Sequence, residues 1–296
     1  MAIGGGVAVS GEAGAPAIVA LLACHDRREQ TLAALHALHA SATAIGVPLD
    51  VIVVDDGSRD GTAEAVRAAY PQVQLLAGDG TLYWCRAMHR AMAHAMALPR
   101  WTHMLWLNDD TRLVREAIGT LLAQGTLQRQ RLGAPVIMVG ATADAQGRCS
   151  YGGGVSEGGW RRLRYRRVGG NAEPERCDVF NGNCVLLPRQ VVQRVGLLDP
   201  AYEHAMGDTD YALRAGAAGI ACVVAPGWAG DCDANPPDGT AADARLTRRE
   251  RWRALQSRKG LPWRSWLHFT RRHGGALWPL RFAWPYVKLW LGLPVR

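Results

Sequence analysis

The sequence predicts an α/β protein with a mostly parallel sheet and helices on both faces. Apolar runs that favour β-strands alternate with helical segments through the first 107 residues. Two of those runs, at residues 51–54 and 102–107, are closely followed by a pair of adjacent carboxylates. Since strands joined by right-handed crossovers bring their carboxyl ends to one edge, where open α/β sheets bind ligands, these acids predict the position of a site.

The elements of this alternation follow from hydrophobic periodicity and from the turn residues between them. The first helix carries Leu32, Leu35 and Leu38 on one face, and Asp-Gly with Ser opens the turn before the Ala-rich helix that starts near Thr62. The predicted strands are residues 17–24, 51–54, 73–76 and 102–107, and the predicted helices are residues 28–41, 62–69 and 84–97.

A different pattern begins after Val139. Residues 147–171 are rich in Gly, Arg and aromatic residues, which predicts a hairpin or a flexible loop of the kind that gates or selects a ligand. The five arginines between positions 161 and 167 are candidates for holding a diphosphate or a lipid head group, and a solvated hairpin face is the alternative. Regular structure resumes with a strand within 178–188 and a short helix at 189–195.

Composition limits the class of protein. A chain of 296 residues with 48% hydrophobic content can bury the core of one large domain, with or without an appendage. Its seven cysteines lack a Cys-x-x-Cys pair and are odd in number, which argues against a disulfide framework or a structural zinc site and favours a reducing cytoplasm. Residues 1–16 lack a basic leader and a continuous apolar core, so they predict a loose tail and not a signal peptide.

Positive charge is concentrated at the C-terminal end. From Arg245 onward, eleven arginines and two lysines stand against one glutamate, a net charge of +12 that leaves −4 for residues 1–244. Six of the eleven tryptophans lie in the same stretch, and basic residues interrupt its apolar runs. This composition predicts that 245–296 lies on an anionic membrane surface without crossing it. The alternative is that the tryptophans pack onto the preceding domain and the arginines face water.

The chain is therefore expected to comprise the tail at 1–16, an α/β domain at 17–240 and a basic, Trp-rich helical segment at 241–296. No part of the acidic remainder resembles a nucleic-acid-binding module, so we expect no nucleic-acid partner. The carboxylates that follow the second and fourth strands suit a hard divalent cation, and such a cation commonly accompanies a phosphate. Ordinary turn and helix-cap roles explain either cluster by itself.

Seven segments of the chain, in the same order, resemble the family 2 glycosyltransferases, which have the GT-A fold. The resemblance covers residues 17–228. Within the family, Gly-Asp-Gly followed by Tyr-Trp, and the Asn-Asp-Asp motif, look most like the rhamnosyltransferase-type branch that builds bacterial surface polysaccharides. The matching segments are residues 23–27, 53–62, 78–88, 107–110, 181–188, 196–199 and 207–214.

The resemblance implies a donor site for a nucleoside-diphosphate sugar. The nucleoside is expected at the carboxyl ends of the first two strands, with His25 and Arg27 lining the site and Asp55 contacting the base or ribose. Arg86 is expected to reach the phosphates, unless it is a surface arginine. The remaining donor-binding candidates are Asp56, Gly57, Gly80, Trp84, Asn108 and Asp109.

The resemblance also implies a metal ion. Asp110 matches the last acid of the family's Asp-x-Asp motif and is expected to hold Mn²⁺ or Mg²⁺ against both phosphates. The first acid of that motif is Asn108 here, so either the cation loses one carboxylate or Asp109 supports it. Many relatives place a His near residues 227–233 as a third ligand, and none occurs there. Either Asp231 or Asp233 substitutes for it, or metal binding relies on fewer side chains.

Asp208 matches the acid that deprotonates the acceptor hydroxyl in an inverting transfer. The family usually has another acid directly before it, where this chain has Gly207. Asp210 is the reserve candidate for the base, although in this motif it more often orients the helix or pairs with Arg214.

The predicted protein is an inverting glycosyltransferase at the inner face of the cytoplasmic membrane. It is expected to move a hexose, or a deoxyhexose such as rhamnose, to a saccharide or polyprenyl-linked acceptor during synthesis of bacterial surface polysaccharide. One alternative is a sugar-nucleotide pyrophosphorylase, although residues 23–29 lack the glycines of its nucleotide loop. Another is a catalytically degenerate nucleotide-binding protein at the membrane, which Asn108, Gly207 and the absent His would explain.

Overall fold

The computed structural model describes residues 15–234, 238–243, 245–258 and 260–293, so nearly all of the predicted tail at 1–16 lies outside the described residues. The strands are β1 (Ile18–Cys24), β2 (Leu49–Asp55), β3 (Gln74–Ala77), β4 (His103–Leu107), β5 (Arg112–Leu113), β6 (Val136–Val139), β7 (Thr142–Ala143), β8 (Cys149–Tyr151), β9 (Gly153–Ser156), β10 (Tyr165–Val168), β11 (Glu175–Cys177), β12 (Val179–Phe180), β13 (Cys184–Pro188), β14 (Ala221–Val224) and β15 (Gly230–Asp231). The helices are α1 (Arg28–Ala44), α2 (Thr62–Ala69), α3 (Tyr83–Met96), α4 (Ala117–Leu132), α5 (Arg189–Val195), α6 (Gly207–Ala217), α7 (Arg248–Gln256), α8 (Trp263–His273) and α9 (Trp278–Trp290).

Eight strands form one large, mainly parallel sheet in the order β11-β14-β6-β13-β4-β1-β2-β3. Strands β4, β1, β2 and β3 are mutually parallel, as the alternation of strands and helices predicts. Strand β13 runs antiparallel between β4 and β6, because the chain returns from the small sheets in the opposite direction. The predicted α/β fold class is confirmed.

The large sheet is covered on both faces, and its central strands are therefore apolar throughout. Successive side chains of β1 enter different core clusters: Leu21 joins the cluster of Met88 from α3, whereas Leu22 joins that of Leu35 from α1. All four side chains are fully buried. This double cover holds the carboxyl ends of β1, β2 and β4 rigidly at one edge.

Strands after Val139 supply most of two small sheets, with strand orders β10-β9-β12 and β5-β15-β7-β8, and β5 joins the second sheet from before Val139. The hairpin predicted within 147–171 is present as the antiparallel pair β9 and β10. Several of its arginines are engaged in ion pairs, since Arg161 and Arg164 both reach Glu157 at 3.2 and 3.0 Å. Those two guanidinium groups therefore belong to a solvated hairpin face, as the alternative interpretation predicts, and are not free to bind an anion.

The C-terminal helices α7 to α9 pack on one another and on α6. Helix α7 begins with a capping box between Thr247 and Glu250, which satisfies backbone N–H groups at its first turn. Helix α8 buries Trp266 and Phe269 against the main core. Among the described residues, the helices are too short or too polar to cross a bilayer.

Candidate active site

The carboxyl ends of β1, β2 and β4 bring the predicted donor-site residues together. In the register of the sheet, Cys24 lies opposite Asp55, so the segments that follow β1 and β2 leave the sheet side by side. The Nδ1 atom of His25 lies 2.6 Å from the carbonyl oxygen of Asp56. A guanidinium nitrogen of Arg27 reaches across to the segment after β4, so three strand ends meet at one place.

Arg27 is the cation that balances the acidic segment after β4. Its guanidinium donates to Asp109 Oδ1 at 3.2 Å and to Asp110 Oδ2 at 2.7 Å. Burial raises the pKa of the Asp109 carboxyl to about 7, and Arg27 opposes that shift. Asp110 is more exposed than Asp109, so it is the carboxylate better placed to meet a ligand from solvent.

The Asp56 carboxylate holds the Gly-rich loop that leads into α3. It accepts hydrogen bonds from the backbone N–H groups of Gly80, Leu82 and Tyr83 at 2.9, 3.2 and 2.8 Å. Gly57 lies against the same loop with a positive φ, and a Cβ there would come within 2.9 Å of the Gly80 nitrogen. Asp56 and the two glycines therefore shape the donor site by joining its loops.

Asp55 is buried at the end of β2, and one of its carboxylate oxygens accepts a hydrogen bond from the Ser58 N–H at 2.9 Å. Its neighbour across the sheet edge, the His25 side chain, is half-exposed. The structure thus places both residues at the carboxyl ends of β1 and β2, with the His25 side chain half-exposed and Asp55 buried.

Trp84 connects the acidic segment to the other half of the site. Its indole N–H donates to Asn108 Oδ1 at 2.8 Å, which fixes the amide of the residue that replaces the first acid of the motif. A Cβ on Gly182 would overlap the Trp84 ring, so glycine is required where the 181–183 segment crosses the indole. Trp84 therefore lies between the segment after β4 and the segment before β13.

Asp208 lies on the other side of that contact, in the first turn of α6. Its Oδ2 accepts the Gly182 N–H at 3.0 Å and its Oδ1 accepts the Thr209 N–H at 2.8 Å. Burial raises the pKa of this carboxyl above its ordinary value, although the backbone hydrogen bonds counteract the shift. A half-buried carboxylate whose pKa is raised by burial is a stronger base than an exposed one.

The absence of an acid before Asp208 has a steric reason. A Cβ on Gly207 would overlap the sulfur of Cys85 in α3, so a larger residue would push α6 away from that helix. Met206, with a φ of 73°, turns the chain immediately before this close approach. The departure from the family pattern at Gly207 thus accompanies tight packing of α6 on α3.

Asp210 differs from Asp208 in every contact. It is fully buried and accepts hydrogen bonds from the Tyr202 hydroxyl, Arg214, Arg272 and His273 at 3.2, 2.8, 2.9 and 2.8 Å. Burial opposes ionisation, but these donors more than offset it and hold the pKa of the carboxyl well below its ordinary range. Two of the donors belong to α8. Asp210 therefore joins α6 to the C-terminal helices, and this arrangement leaves it poorly placed for the reserve role as base.

Arg86 lies against the loop that precedes α6. Its Nε donates to the Pro200 carbonyl at 3.1 Å, and its guanidinium lies 3.7 Å from Glu203. The side chain thus extends along the loop that precedes α6, because its helical position places it on that side of α3. We assign it to holding this loop.

The structure brings Cys232, and not Asp231, into contact with Asp110. The thiol sulfur lies 3.5 Å from Asp110 Oδ1, whereas Asp231 is exposed and pairs with Arg112 in the ladder between β15 and β5. Successive residues of an extended chain face opposite sides, so only one of the two neighbours can point at Asp110. Asp233 instead accepts a hydrogen bond from the Ala145 N–H at 3.3 Å. Neither expected substitute for the missing His is therefore retained.

The donor atoms at this edge fit a divalent cation that arrives with a diphosphate. The described part of the chain contains no group of three or more His, Cys, Asp or Glu side chains able to hold a metal. Mg²⁺ is commonly bound by one or two carboxylates together with substrate phosphates. Asp110 and its neighbour Asp109 can supply the carboxylates of such a set. Arg27 already places positive charge beside both carboxylates.

A cleft that sequence reasoning missed lies between the start of α3 and the C-terminal helices. Its volume is about 660 Å³. The Arg258 guanidinium lies 4.1 Å from the centre of the Tyr83 ring and also donates to Glu203 at 2.9 Å. Trp263, half of whose surface is exposed, lines the opposite part. No local motif could reveal this cleft, since its walls come from segments about 170 residues apart in the chain.

A parallel sheet that gathers a basic residue and adjacent carboxylates at its carboxyl edge, with a further carboxylate at the start of α6, defines a protein of the GT-A glycosyltransferase type. The model of the family "Glycosyl transferase family 2" matches residues 20–195, more than half of the chain, and the chain belongs to that family. Comparison with curated protein sequences gives no match.

Solved structures share the fold. A mannosyltransferase, PcManGT from Pyrobaculum calidifontis in complex with GDP-Man and Mn²⁺, is 18% identical with a TM-score of 0.51, over 91% of this chain and 72% of its own. GalNAc-T7 with UDP, GalNAc and Mn²⁺ is 13% identical with a TM-score of 0.50, over 75% of this chain. The chain spans 45% of the length of GalNAc-T7. At these identities the likeness shows a common fold.

Proposed function

We propose that the protein is an inverting glycosyltransferase that moves a sugar from a nucleoside diphosphate to the hydroxyl of a saccharide. One observation carries the proposal: the carboxylate of Asp208 and the acidic segment at Asp110 are linked through a single contact chain. Asp208 binds the Gly182 N–H, Gly182 lies against Trp84, and Trp84 binds Asn108. A base and a diphosphate-binding edge are thus set on either side of one indole ring.

In the proposed reaction Asp208 accepts the proton of the acceptor hydroxyl. The acceptor oxygen forms its bond to the anomeric carbon while the bond from that carbon to the diphosphate oxygen breaks, and the electron pair leaves with the nucleoside diphosphate. Inversion requires the base to lie on the sugar face opposite the leaving group. The two backbone N–H groups on the Asp208 carboxylate keep it aimed in one direction.

A divalent cation, Mn²⁺ or Mg²⁺, supplies positive charge that stabilises the departing diphosphate. We propose that Asp110 would hold this cation, with Asp109 and Asn108 near it. Arg27 then adds a second positive charge at the same edge. This arrangement needs no third protein ligand, so the loss of the family's His does not require a substitute.

We propose the cleft beside Tyr83 as the acceptor site. Aromatic rings present flat apolar faces, and the exposed Trp263 offers one in this cleft, while the Tyr83 ring lies in the cleft wall under the Arg258 guanidinium. Glu203 and Arg258 supply hydrogen-bonding groups around the rings, as a saccharide requires. Helix α3 connects the cleft to the donor site, because Tyr83 and Trp84 are consecutive.

We also propose that the donor carries a hexose or a deoxyhexose such as rhamnose, and that the acceptor is attached to a polyprenyl lipid at the inner face of the cytoplasmic membrane. The motif resemblance supports the sugar class. The net charge of +12 from Arg245 onward supports attraction to an anionic membrane.

The first test is thermal unfolding with UDP, dTDP, GDP or CDP, each with Mn²⁺, with Mg²⁺ and with a chelator. A ligand that binds only the native state stabilises it by about 2.7 kcal/mol at one hundred times its Kd. We expect one nucleotide to raise Tm, and the increase to need the cation. The cation without nucleotide should have little effect, since the protein supplies few ligands of its own.

Matched variants locate the metal in the same measurement. Asp110→Asn should abolish the metal-dependent part of the Tm increase, whereas Asp231→Asn should leave it intact. Absence of an increase with every nucleotide would refute the donor site. A metal-dependent increase without transfer to any acceptor would favour the degenerate nucleotide-binding protein, which the replacement of an acid by Asn108 also motivates.

A further inference from the structure

The outward face of α9 carries a continuous stripe of large apolar side chains. They recur at intervals of three, four, three and four residues, which keeps them on one side of the helix and its flanking turns. Each is 41 to 57% exposed, although side chains of this kind usually pack inside a soluble protein. The stripe consists of Leu277, Leu280, Trp284, Val287 and Leu291.

The rotation of α9 about its axis is fixed by its opposite face, so the stripe cannot turn inward. Leu289 is buried, and the Tyr286 hydroxyl donates to the Leu261 carbonyl at 3.0 Å. The Phe282 carbonyl accepts the indole N–H of Trp266 at 3.0 Å. The inner apolar face of α9 is therefore packed against the protein, whereas its outer apolar face is exposed.

A turn from a distant part of the chain extends the stripe. Trp160 lies in the connection between β9 and β10, is 46% exposed, and its ring centre lies 6.3 Å from that of Trp284. Arg281 ties this turn to α9 by donating to the Gly159 carbonyl at 3.0 Å. The aromatic end of the hairpin and the stripe thus form one surface.

The charged side chains that α8 and α9 bring to this surface are all positive, and the acid of the adjoining hairpin turn, Glu157, is paired with Arg161 and Arg164. Helices α8 and α9 contain no Asp or Glu, and the last acid of the chain is Glu250. Lys288 lies 5.7 Å from the centre of the Trp284 ring, and Arg271 lies 5.5 Å from that of Trp278. A flat apolar stripe with tryptophans and a basic border matches the interface of an anionic bilayer, where aromatic rings lie at head-group depth.

We propose that the stripe on α9, together with Trp160, is the surface by which the protein docks on an anionic lipid bilayer. This inference deepens the membrane location given under the proposed function and names the inserting side chains. A second copy of the chain fits less well, because it would bring two strongly basic surfaces together without an acidic partner. The apolar side chains enter the interface while the helix lies parallel to it.

Flotation of the full-length protein with lipid vesicles tests the proposal. Vesicles of phosphatidylcholine alone are compared with vesicles containing about a third phosphatidylglycerol, at low and at high salt. We expect binding to the anionic vesicles that salt weakens. The double variant Leu280→Glu/Val287→Glu should reduce the bound fraction roughly tenfold or more, since it places charge in the lipid interface. The matched control is Leu127→Glu, which changes a leucine on α4 that is 46% exposed.

Failure of the wild-type protein to float with anionic vesicles would overturn the proposal, as would equal flotation of the double variant. A dimer that the double variant dissociates, with no vesicle binding, would assign the stripe to a second copy and also overturn it. The nucleotide-dependent Tm increase separates this proposal from the proposed function. Its retention in the double variant shows that docking alone is impaired, and its absence in the wild type refutes the donor site while leaving the docking result valid.

Discussion

The carboxyl edge of the large sheet and the C-terminal helices use charged and aromatic residues in different ways. At the sheet edge, the polar side chains bind one another and nearby backbone, as Asp56 does on the Gly-rich loop. In the C-terminal helices, similar residues divide between two faces. Trp266 is buried with its N–H bonded, whereas Trp284 on the next helix is exposed. Composition identifies such a segment, but the packing of each helix decides which role each residue has.

Packing of the C-terminal tryptophans on the preceding domain therefore describes only part of the segment. Packing on the preceding domain holds for the inner faces of α8 and α9, and exposure holds for the stripe. The arginines divide in the same way, because Arg272 enters the buried network at Asp210 while Arg271 remains outside. Substitutions on each side of this division test whether the two groups are as separate as the contacts indicate.

The largest effect is expected at the joint between α6 and α8. Asp210→Ala would leave Arg214 and Arg272 without their buried partner, and breaking a buried ion pair in this way costs about 3–5 kcal/mol of folding stability. Urea unfolding of the full chain measures the loss. Asp231→Ala, at an exposed carboxylate, is the control and should change stability little. Equal stabilities of the two variants would show that the network does not join the C-terminal helices to the domain.

Acid should weaken the same joint. Because the pKa of Asp210 is lower in the folded protein than its ordinary value of 3.8, its stabilising contribution is complete above that value. The contribution is lost progressively as the pH falls below 3.8 towards the folded pKa. The difference in unfolding free energy between wild type and Asp210→Ala should therefore shrink in that range, and a constant difference would contradict the ionic role.

The next largest effect is expected on sugar transfer, at the proposed base Asp208. Asp208→Asn should lower transfer about 10²-fold or more while preserving the nucleotide-dependent Tm increase, since the amide keeps the shape but cannot accept the proton. Because burial raises the pKa of Asp208, the acid limb of kcat/KM should lie above the ordinary carboxyl value of 3.8. Transfer that survives in Asp208→Asn would remove the base from this position.

Sequence reasoning predicted the fold and the gathering of the site because both depend on short-range patterns. The apolar runs of β2 and β4 are long enough to be recognised as strands, and each delivers its carboxylates to the same edge. It did not predict which carboxylate oxygens of these residues already accept hydrogen bonds within the protein. Asp56 and Asp55 are adjacent in sequence, but one binds three N–H groups of the α3 loop and the other binds the turn at Ser58.

The surroundings that local patterns do not predict depend on contacts between segments distant in sequence. Asp231 is expected at the metal as a substitute for the family's missing His, but the two-residue strand β15 offers too short a pattern to tell which of its neighbours points inward. Arg86 was expected at the phosphates, but Pro200 and Glu203 lie within its reach. The steric requirement at Gly207 depends on Cys85 in another helix, which a local motif does not contain.

The smallest effect is expected where the two regions meet, in the cleft between α3 and α8. If Trp263 forms one wall of the acceptor site, Trp263→Ala should raise the acceptor KM roughly three- to tenfold, which corresponds to an aromatic contact of about 0.5–1.5 kcal/mol. The donor KM should not change, because the donor is proposed to bind at the sheet edge. Trp290→Ala, which removes a tryptophan that is 77% exposed at the end of α9, is the control. A change in acceptor KM specific to Trp263 would mean that the C-terminal helices contribute to acceptor binding as well as to the proposed docking, whereas identical kinetics for the two variants would exclude Trp263 from the acceptor site.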